Sequence, residues 1–250
     1  MQAIIMAAGK GSRLGNLTAD KPKSFLEIND IKLIEYNIAL LHSFNIKNII
    51  IVTGYMTEKM EELTSNIEGI KCIYNPFYEM VNVLGSFFMA QEYLTEDTIY
   101  MHADTLCAPE IMDKMICTEG DMVLPVEYKV CDEEAMKVIT KNGKVTKISK
   151  LIDCKQAEGE FIGIAKISKN IIPSLKKASK NVLMRKEFTS YFEGAIQEMI
   201  NTCNTNIVTI DTQNYFWGEI DFWEDYQRAE EQISDQLVQI AKEWKKAGAN

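Results

Sequence analysis

Short apolar runs without polar alternation recur through the first hundred residues. Residues 3–8 are all small or apolar, Asn48-Ile-Ile-Ile-Val-Thr53 is nearly so, and Thr98-Ile-Tyr-Met-His-Ala103 closes the series. Runs of this length and character predict strands buried on both faces. Between them the period changes. Leu33, Ile34, Ile38, Leu40, Leu41 and Phe44 fall at helical spacing over 32–44, and helices are also predicted over about 56–66 and 84–94, with a short strand near 69–74. Strands alternating with helices imply a parallel sheet covered on both faces, whose ligands sit beyond the carboxyl ends of the strands. Gly9–Arg13, Gly54 and Asp104 fall at that edge.

The rhythm changes near residue 120. Asp121–Val126 predicts a strand, and Met136–Thr140 and Lys144–Ser149 flank Asn142-Gly143, a strong hairpin signal. Glu160–Ile167 predicts a further strand, and helices near 170–178 and 188–201 lead to a strand at Asn206–Ile210. One charged helix over about 222–246 ends the pattern. The middle region reads as an antiparallel lobe, about 121–204, inserted into a single domain spanning 1–250. The nucleotide-binding part then comprises about 1–120 and 205–250.

The first buried run passes into Ala7-Ala8-Gly9-Lys10-Gly11-Ser12-Arg13-Leu14-Gly15, and the segment closes on Lys21-Pro22-Lys23. Glycines let a backbone turn tightly and bring its N–H groups to an anion. A strand, a glycine loop and three cations form a plausible triphosphate site. Neither common fingerprint fits. A dinucleotide fold wants glycine where Leu14 stands, and a P-loop wants Gly-Lys-Ser/Thr after four intervening residues. The bland alternative is an ordinary strand-to-helix turn with surface cations.

Composition narrows the partners. The net charge of −9 argues against a general nucleic-acid or anionic-membrane surface, so cations at a glycine loop are local. Apolar residues are 46% and charged residues 25%, as in ordinary globular proteins. No signal peptide or transmembrane helix is visible, and six cysteines without C-x-x-C spacing point to reduced thiols in a cytoplasmic protein rather than zinc. No Ser/His/Asp or Cys/His nucleophile can be assembled. His42 reads as structural, and His102 as a strand residue.

Two aspartates carry alternative readings. Asp104 follows an apolar strand, where a carboxylate can hold a hard cation or merely serve a turn or helix cap. Asp221 precedes a helix, with Glu224 placed to complete a capping box.

Ala-Ala-Gly-x-Gly-x-Arg followed by Lys-Pro-Lys resembles the signature of the sugar-phosphate and choline-phosphate nucleotidyltransferases. The resemblance is strong over 3–26, fair at 98–106 and 217–225, and weak between. It implies an α/β fold with a Rossmann-like, mostly parallel sheet covered by helices on both faces, carrying the inserted antiparallel acceptor lobe. It implies a nucleotide site at Ala7, Ala8, Gly9, Gly11, Ser12, Arg13, Lys23, Asn82, Gly85, Ser86 and Asp104. Gly85 would admit a flat base and Ser86 a hydrogen bond, while Val83 stands where relatives tend to show a second asparagine. Magnesium (Mg2+) would lie on Asp104 and Asp221. Lys23 would act at the α-phosphate and Arg13 at the β- and γ-phosphates, these two being the catalytic residues.

The ending Glu219-Ile-Asp-x-x-Glu-Asp-Tyr looks most like the choline-phosphate and 2-aminoethylphosphonate cytidylyltransferases, which implies CTP and a small amine-bearing phosphate or phosphonate as partners. Lys137 and Lys150 are candidates for the acceptor phosphate. Tyr191, Trp217, Glu160, Glu193 and Glu219 are candidates for its amine. Rings favour a trimethylammonium and carboxylates a primary ammonium, and the acidic company favours the latter. A sugar-1-phosphate nucleotidyltransferase and a non-catalytic nucleotide-binding module are the alternatives.

Overall fold

Gln2–Ala7 (β1) is buried along its whole length because it has neighbours on both edges and both faces. It lies in a ten-stranded sheet within a computed structural model that describes residues 1–248. In chain order the other strands are β2 (Glu27–Ile28), β3 (Ile31–Lys32), β4 (Asn48–Thr53), β5 (Ile70–Tyr74), β6 (Thr98–His102), β7 (Thr105–Cys107) and β8 (Met122–Glu127). They continue as β9 (Lys137–Lys141), β10 (Lys144–Ser149), β11 (Gly159–Phe161), β12 (Ile164–Ile167), β13 (Ile207–Asp211) and β14 (Trp217–Glu219). The helices are α1 (Leu33–Ser43), α2 (Thr57–Thr64), α3 (Val83–Ala90), α4 (Pro109–Cys117), α5 (Ile172–Met184), α6 (Phe192–Thr202), α7 (Trp223–Gln232) and α8 (Asp235–Lys246).

The sheet order is β11-β9-β10-β13-β8-β12-β6-β1-β4-β5. β5, β4, β1, β6, β8, β13 and β9 run one way, and β12, β10 and β11 run against them. Ala3 and Ile5 of β1 face a core built with α1, α4 and α8. Ile4 and Met6 face the other core, with α3, α5 and α6. The α/β expectation thus holds, with helices on both faces.

The antiparallel strands do not form a sheet of their own. They continue the central one, because β12 pairs with β6 and β8 bridges to β13. The expected single strand over 160–167 is two. Gly163, at φ +78°, turns the chain between β11 and β12, and a Cβ there would stand 2.9 Å from His102 Nδ1. The hairpin turn is as expected, with Asn142 and Gly143 both at positive φ.

The charged C-terminal helix is also two. Ile233 adopts an extended conformation and packs on the core, and Ser234 starts α8. Trp244 Nε1 of α8 donates to His42 Nδ1 at 2.8 Å, so His42 is structural. The helix α4 and the ladder β7–β14 have no counterpart in the sequence expectations.

Candidate active site

The glycine loop and Lys23 are shaped for each other. Gly11 has φ +71°, and a Cβ on it would lie 2.8 Å from the Lys23 Cβ. Residue 11 is therefore glycine for its backbone and for the room it leaves to the lysine stem. Thr18 Oγ1 donates to the Gly11 carbonyl at 2.9 Å and pins the loop. Pro22 is extended, and the turn Lys23–Phe25 that follows buries Lys23 to 8% exposure.

Two carboxylates meet its ammonium. Lys23 Nζ donates to Asp104 Oδ2 at 2.5 Å and to Asp221 Oδ1. Asp104 occupies the turn between β6 and β7, well before α4, so it caps no helix. Asp221 is brought beside it by the β7–β14 ladder. Trp217 pairs with Cys107, Gly218 with Leu106 and Glu219 with Thr105, and the Ile220 N–H then donates to the Asp104 carbonyl. The capping box expected of Asp221 is made by Asp225 instead, whose Oδ2 accepts from the N–H groups of Asp221 and Phe222. The Asp221 carboxylate is left to face Lys23, and Arg13 Nη1 reaches its Oδ2 at 3.1 Å.

Charge and burial compete throughout this cluster. Burial would push the Lys23 ammonium down, but Asp104 and Asp221 reverse that and hold it well above the usual lysine range. Burial would raise Asp104, but Lys23 and then His102 hold it below the usual carboxylate range. His102 Nε2 shares a 2.8 Å hydrogen bond with the Tyr100 hydroxyl, and its Nδ1 lies 3.7 Å from Glu219. Burial would lower its pKa, yet Glu219, Asp104 and Glu193 lift it to about 9.

The cluster edges a cavity of about 350 Å³, within the range of small-molecule sites. Of the residues expected at a nucleotide, Ala8, Gly9, Arg13, Asn82, Ser86, Asp104 and Asp221 line it, and of those expected at an acceptor, Lys150, Glu160, Tyr191, Glu193 and Glu219 do. Ala7, Gly11, Ser12 and Lys23 are not among the lining residues; Ser12 is exposed, and Lys23 reaches the cavity wall through Asp104 and Asp221. Asn82 caps α3 by accepting from the Val83 N–H at 2.8 Å and ties it to the Thr189 carbonyl. Ser86 accepts from Asn75 at 3.0 Å.

Four expectations change. Gly85 lies inside α3 and is not among the cavity-lining residues, and a Cβ there would strike Val81 at 2.5 Å, so its smallness makes room for Val81. Lys137 is 1% exposed and donates to the carbonyls of Glu133, Ala135 and Lys150, so its charge is consumed by backbone rather than offered to a phosphate. Trp217 lies under Lys129, 5.2 Å from the ring centroid, outside the cavity lining. His102, read as an ordinary strand residue, is part of the wall. Strand alternation was the available signal, since Tyr100, His102 and Asp104 share one side.

Elsewhere on the cavity wall, Lys150 lies 5.2 Å from the Tyr191 ring centroid and 3.5 Å from Glu134. Lys129 bridges Glu127 and Glu160, at 2.5 and 2.8 Å. Burial pushes Glu160 up, partly offset by Lys129. Glu193 is 4% exposed, its Oε2 has no hydrogen-bond partner among the described residues, and burial pushes its pKa up. Its neighbour Phe192 belongs to the core, stacked on Tyr100 with ring centroids 3.8 Å apart.

The donor atoms can be compared as metal ligands. His102, Asp104 and Glu219 offer atoms within 4.8 Å of one another. Asp104 and Asp221 offer two carboxylate oxygens converging on one cation, the Lys23 ammonium. Oxygen ligands suit a hard cation better than a set containing imidazole, so the aspartate pair fits magnesium.

Known proteins resemble this chain over most of its length. The family described as MobA-like NTP transferase domain matches residues 3–180. The CTP:phosphoglutamine cytidylyltransferase of Campylobacter jejuni is 28% identical over 97% of this chain and 100% of its own length. The choline-phosphate cytidylyltransferase of Streptococcus pneumoniae is 26% identical over 94% of this chain and 100% of its own. The solved structure of the CTP:phosphocholine cytidylyltransferase from Streptococcus pneumoniae matches with a TM-score of 0.77 at 23% identity. That match covers 93% of this chain and 99% of that one, and it shows a shared fold.

Proposed function

The chain belongs to the family of MobA-like NTP transferase domains and is a nucleotidyltransferase, and from that premise we propose that it transfers CMP from CTP to a small amine-bearing phosphate or phosphonate. An acceptor oxygen attacks the α-phosphorus, the bond to the β-phosphate oxygen breaks, and pyrophosphate leaves. A phosphate monoester's second pKa is about 6, so such an acceptor is largely ionised near neutrality and needs no strong general base. The chemical problem is to gather anions and to stabilise the transferring group.

Lys23 acts at the α-phosphate, within reach of Asp104 and Asp221. Arg13, at the exposed lip, takes the β- and γ-phosphates. The Ala8-Gly9 backbone gives close approach to the nucleotide. Asp104 and Asp221 would hold magnesium, which when bound neutralises charge on the triphosphate. The acceptor's anionic head faces Lys150, and its ammonium faces Glu193, Glu160 and Glu219.

The single observation that carries the amine is the Glu193 Oε2. A buried carboxylate oxygen without a donor is costly, and a primary ammonium supplies one. The nucleotide assignment is supported by the cytidylyltransferases among the relatives. The test is pyrophosphate release with CTP, UTP, GTP and ATP against 2-aminoethylphosphonate, phosphocholine, phosphoglutamine and a sugar 1-phosphate. CTP with an amine-bearing acceptor is expected to be fastest. Equal turnover of a sugar 1-phosphate would replace this reading with a sugar-1-phosphate nucleotidyltransferase.

A further inference from the structure

Both cations assigned to the nucleotide's phosphates rest on the carboxylates assigned to the metal. Lys23 Nζ lies between Asp104 Oδ2, at 2.5 Å, and Asp221 Oδ1, and Arg13 Nη1 holds the other oxygen of Asp221 at 3.1 Å. A magnesium ion bonds oxygen at about 2.1 Å. The space where two carboxylate oxygens already converge on an ammonium cannot hold both cations. We propose that Lys23 and the divalent cation compete for Asp104 and Asp221, so that the cation gains the pair as Lys23 moves to the nucleotide.

The lysine is built for such a move. Its four-carbon stem is flexible and its ammonium is a compact point charge. The stem crosses Gly11, where no side chain blocks it. Neither exchange is favourable alone. Lys23 leaving without a replacement cation strands two carboxylates, one of them half-buried beside Glu219 and His102. A cation arriving without a phosphate strands a buried ammonium. With both ligands present, every charge keeps a partner. Metal and nucleotide therefore bind with positive coupling, and the coupling is reciprocal.

This inference rests on the metal and nucleotide assignments above, and the experiment separates the two. Free Mn2+ is measured by electron paramagnetic resonance with the full chain and no nucleotide. Lys23→Met, uncharged and of similar length, is expected to bind Mn2+ at least about tenfold tighter than the unaltered protein. Arg13→Met removes an equal charge from the exposed side and sets the size of the through-space effect, which Lys23→Met must exceed. Adding Asp104→Asn to Lys23→Met should abolish the tight site.

A second measurement needs no variant. CMP, a weak chelator, should tighten Mn2+ binding to the unaltered protein, and Mn2+ should tighten CMP binding by the same factor. If Mn2+ binds the unaltered chain and Lys23→Met equally well, with loss on Asp104→Asn, the metal assignment stands and the competition is overturned. Mn2+ binding that ignores Asp104→Asn overturns both. Absence of coupling between CMP and Mn2+ overturns the competition even where Lys23→Met fails to fold.

Discussion

At the end proposed for the nucleotide, Gly9, Arg13 and Lys23 come from one contiguous stretch, and the loop conformation sets their spacing. At the end proposed for the acceptor, Glu160, Glu193 and Glu219 come from β11, α6 and β14, which only the tertiary structure brings together. The first end carries cations that meet carboxylates supplied from elsewhere in the fold. The second carries carboxylates, one of which lacks a hydrogen-bond donor. A polyphosphate is a constant partner and suits a local motif. An acceptor head is selected by geometry assembled over long range, so it can vary without disturbing the motif.

The largest expected effect lies at the constant end. Lys23→Ala should lower kcat by about 10²–10³, the cost of a positioned charge on a developing transition state, while the folded protein persists. Steady-state kinetics alongside circular dichroism check this. Near-normal turnover in folded protein would remove Lys23 from the chemistry and dissolve the contrast between the two ends.

Asp221→Asn comes next. It removes one anionic oxygen from the pair and should raise the magnesium concentration needed for half-maximal rate by about tenfold or more. Metal titrations at saturating substrate read this directly. An unchanged requirement would assign Asp221 to holding Lys23 and Arg13 only.

Glu193→Gln probes the variable end. It should raise KM for an amine-bearing acceptor about tenfold, as expected for loss of a charge-assisted hydrogen bond, while KM for CTP stays put. Equal loss for both substrates would mean that Glu193 shapes the whole cavity rather than selecting the acceptor.

The same substitution should carry a smaller effect of opposite sign on stability. Burial raises the Glu193 pKa in the folded protein above its unfolded value, against which His102 and Lys150 pull down and Glu219 pushes up. The carboxyl therefore favours folding fully below the unfolded value of about 4.3, and that contribution is lost as pH rises through the folded pKa. Glutamine cannot ionise, so the variant should gain in melting temperature over the unaltered protein as pH climbs through this window. A change of 1 kcal/mol corresponds to about 2–4 °C in a domain of this size. A difference independent of pH would show that Glu193 is ionised and paired throughout.

The signals that could be read early were local. The buried runs at 3–8, 48–53 and 98–103, the helical period over 32–44 and the Asn142-Gly143 turn each depend on neighbours within a few residues, and each took the expected form. The glycine loop with Arg13 and Lys23 was legible for the same reason. The break at Gly163 was harder, because Glu160–Ile167 alternates well enough for one strand. Only the approach of His102 and the need to pair β11 with β8 and β12 with β6 divide it.

Charged residues away from the motif were the least legible. Lys137 and Lys150 are both hairpin lysines by sequence. One is spent on three backbone carbonyls and the other faces the cavity. Asp221 and Asp225 are both acids at a helix start, and only the β7–β14 ladder decides that Asp225 caps the helix while Asp221 meets Lys23. The sequence by itself determined most strands, most helices and the glycine loop with its cations, because backbone propensity and hydrophobic period act over short range. Tertiary structure alone decided which carboxylates face the cavity and which stays without a donor, because a side chain's burial and charge partners are set by chain segments far away in sequence.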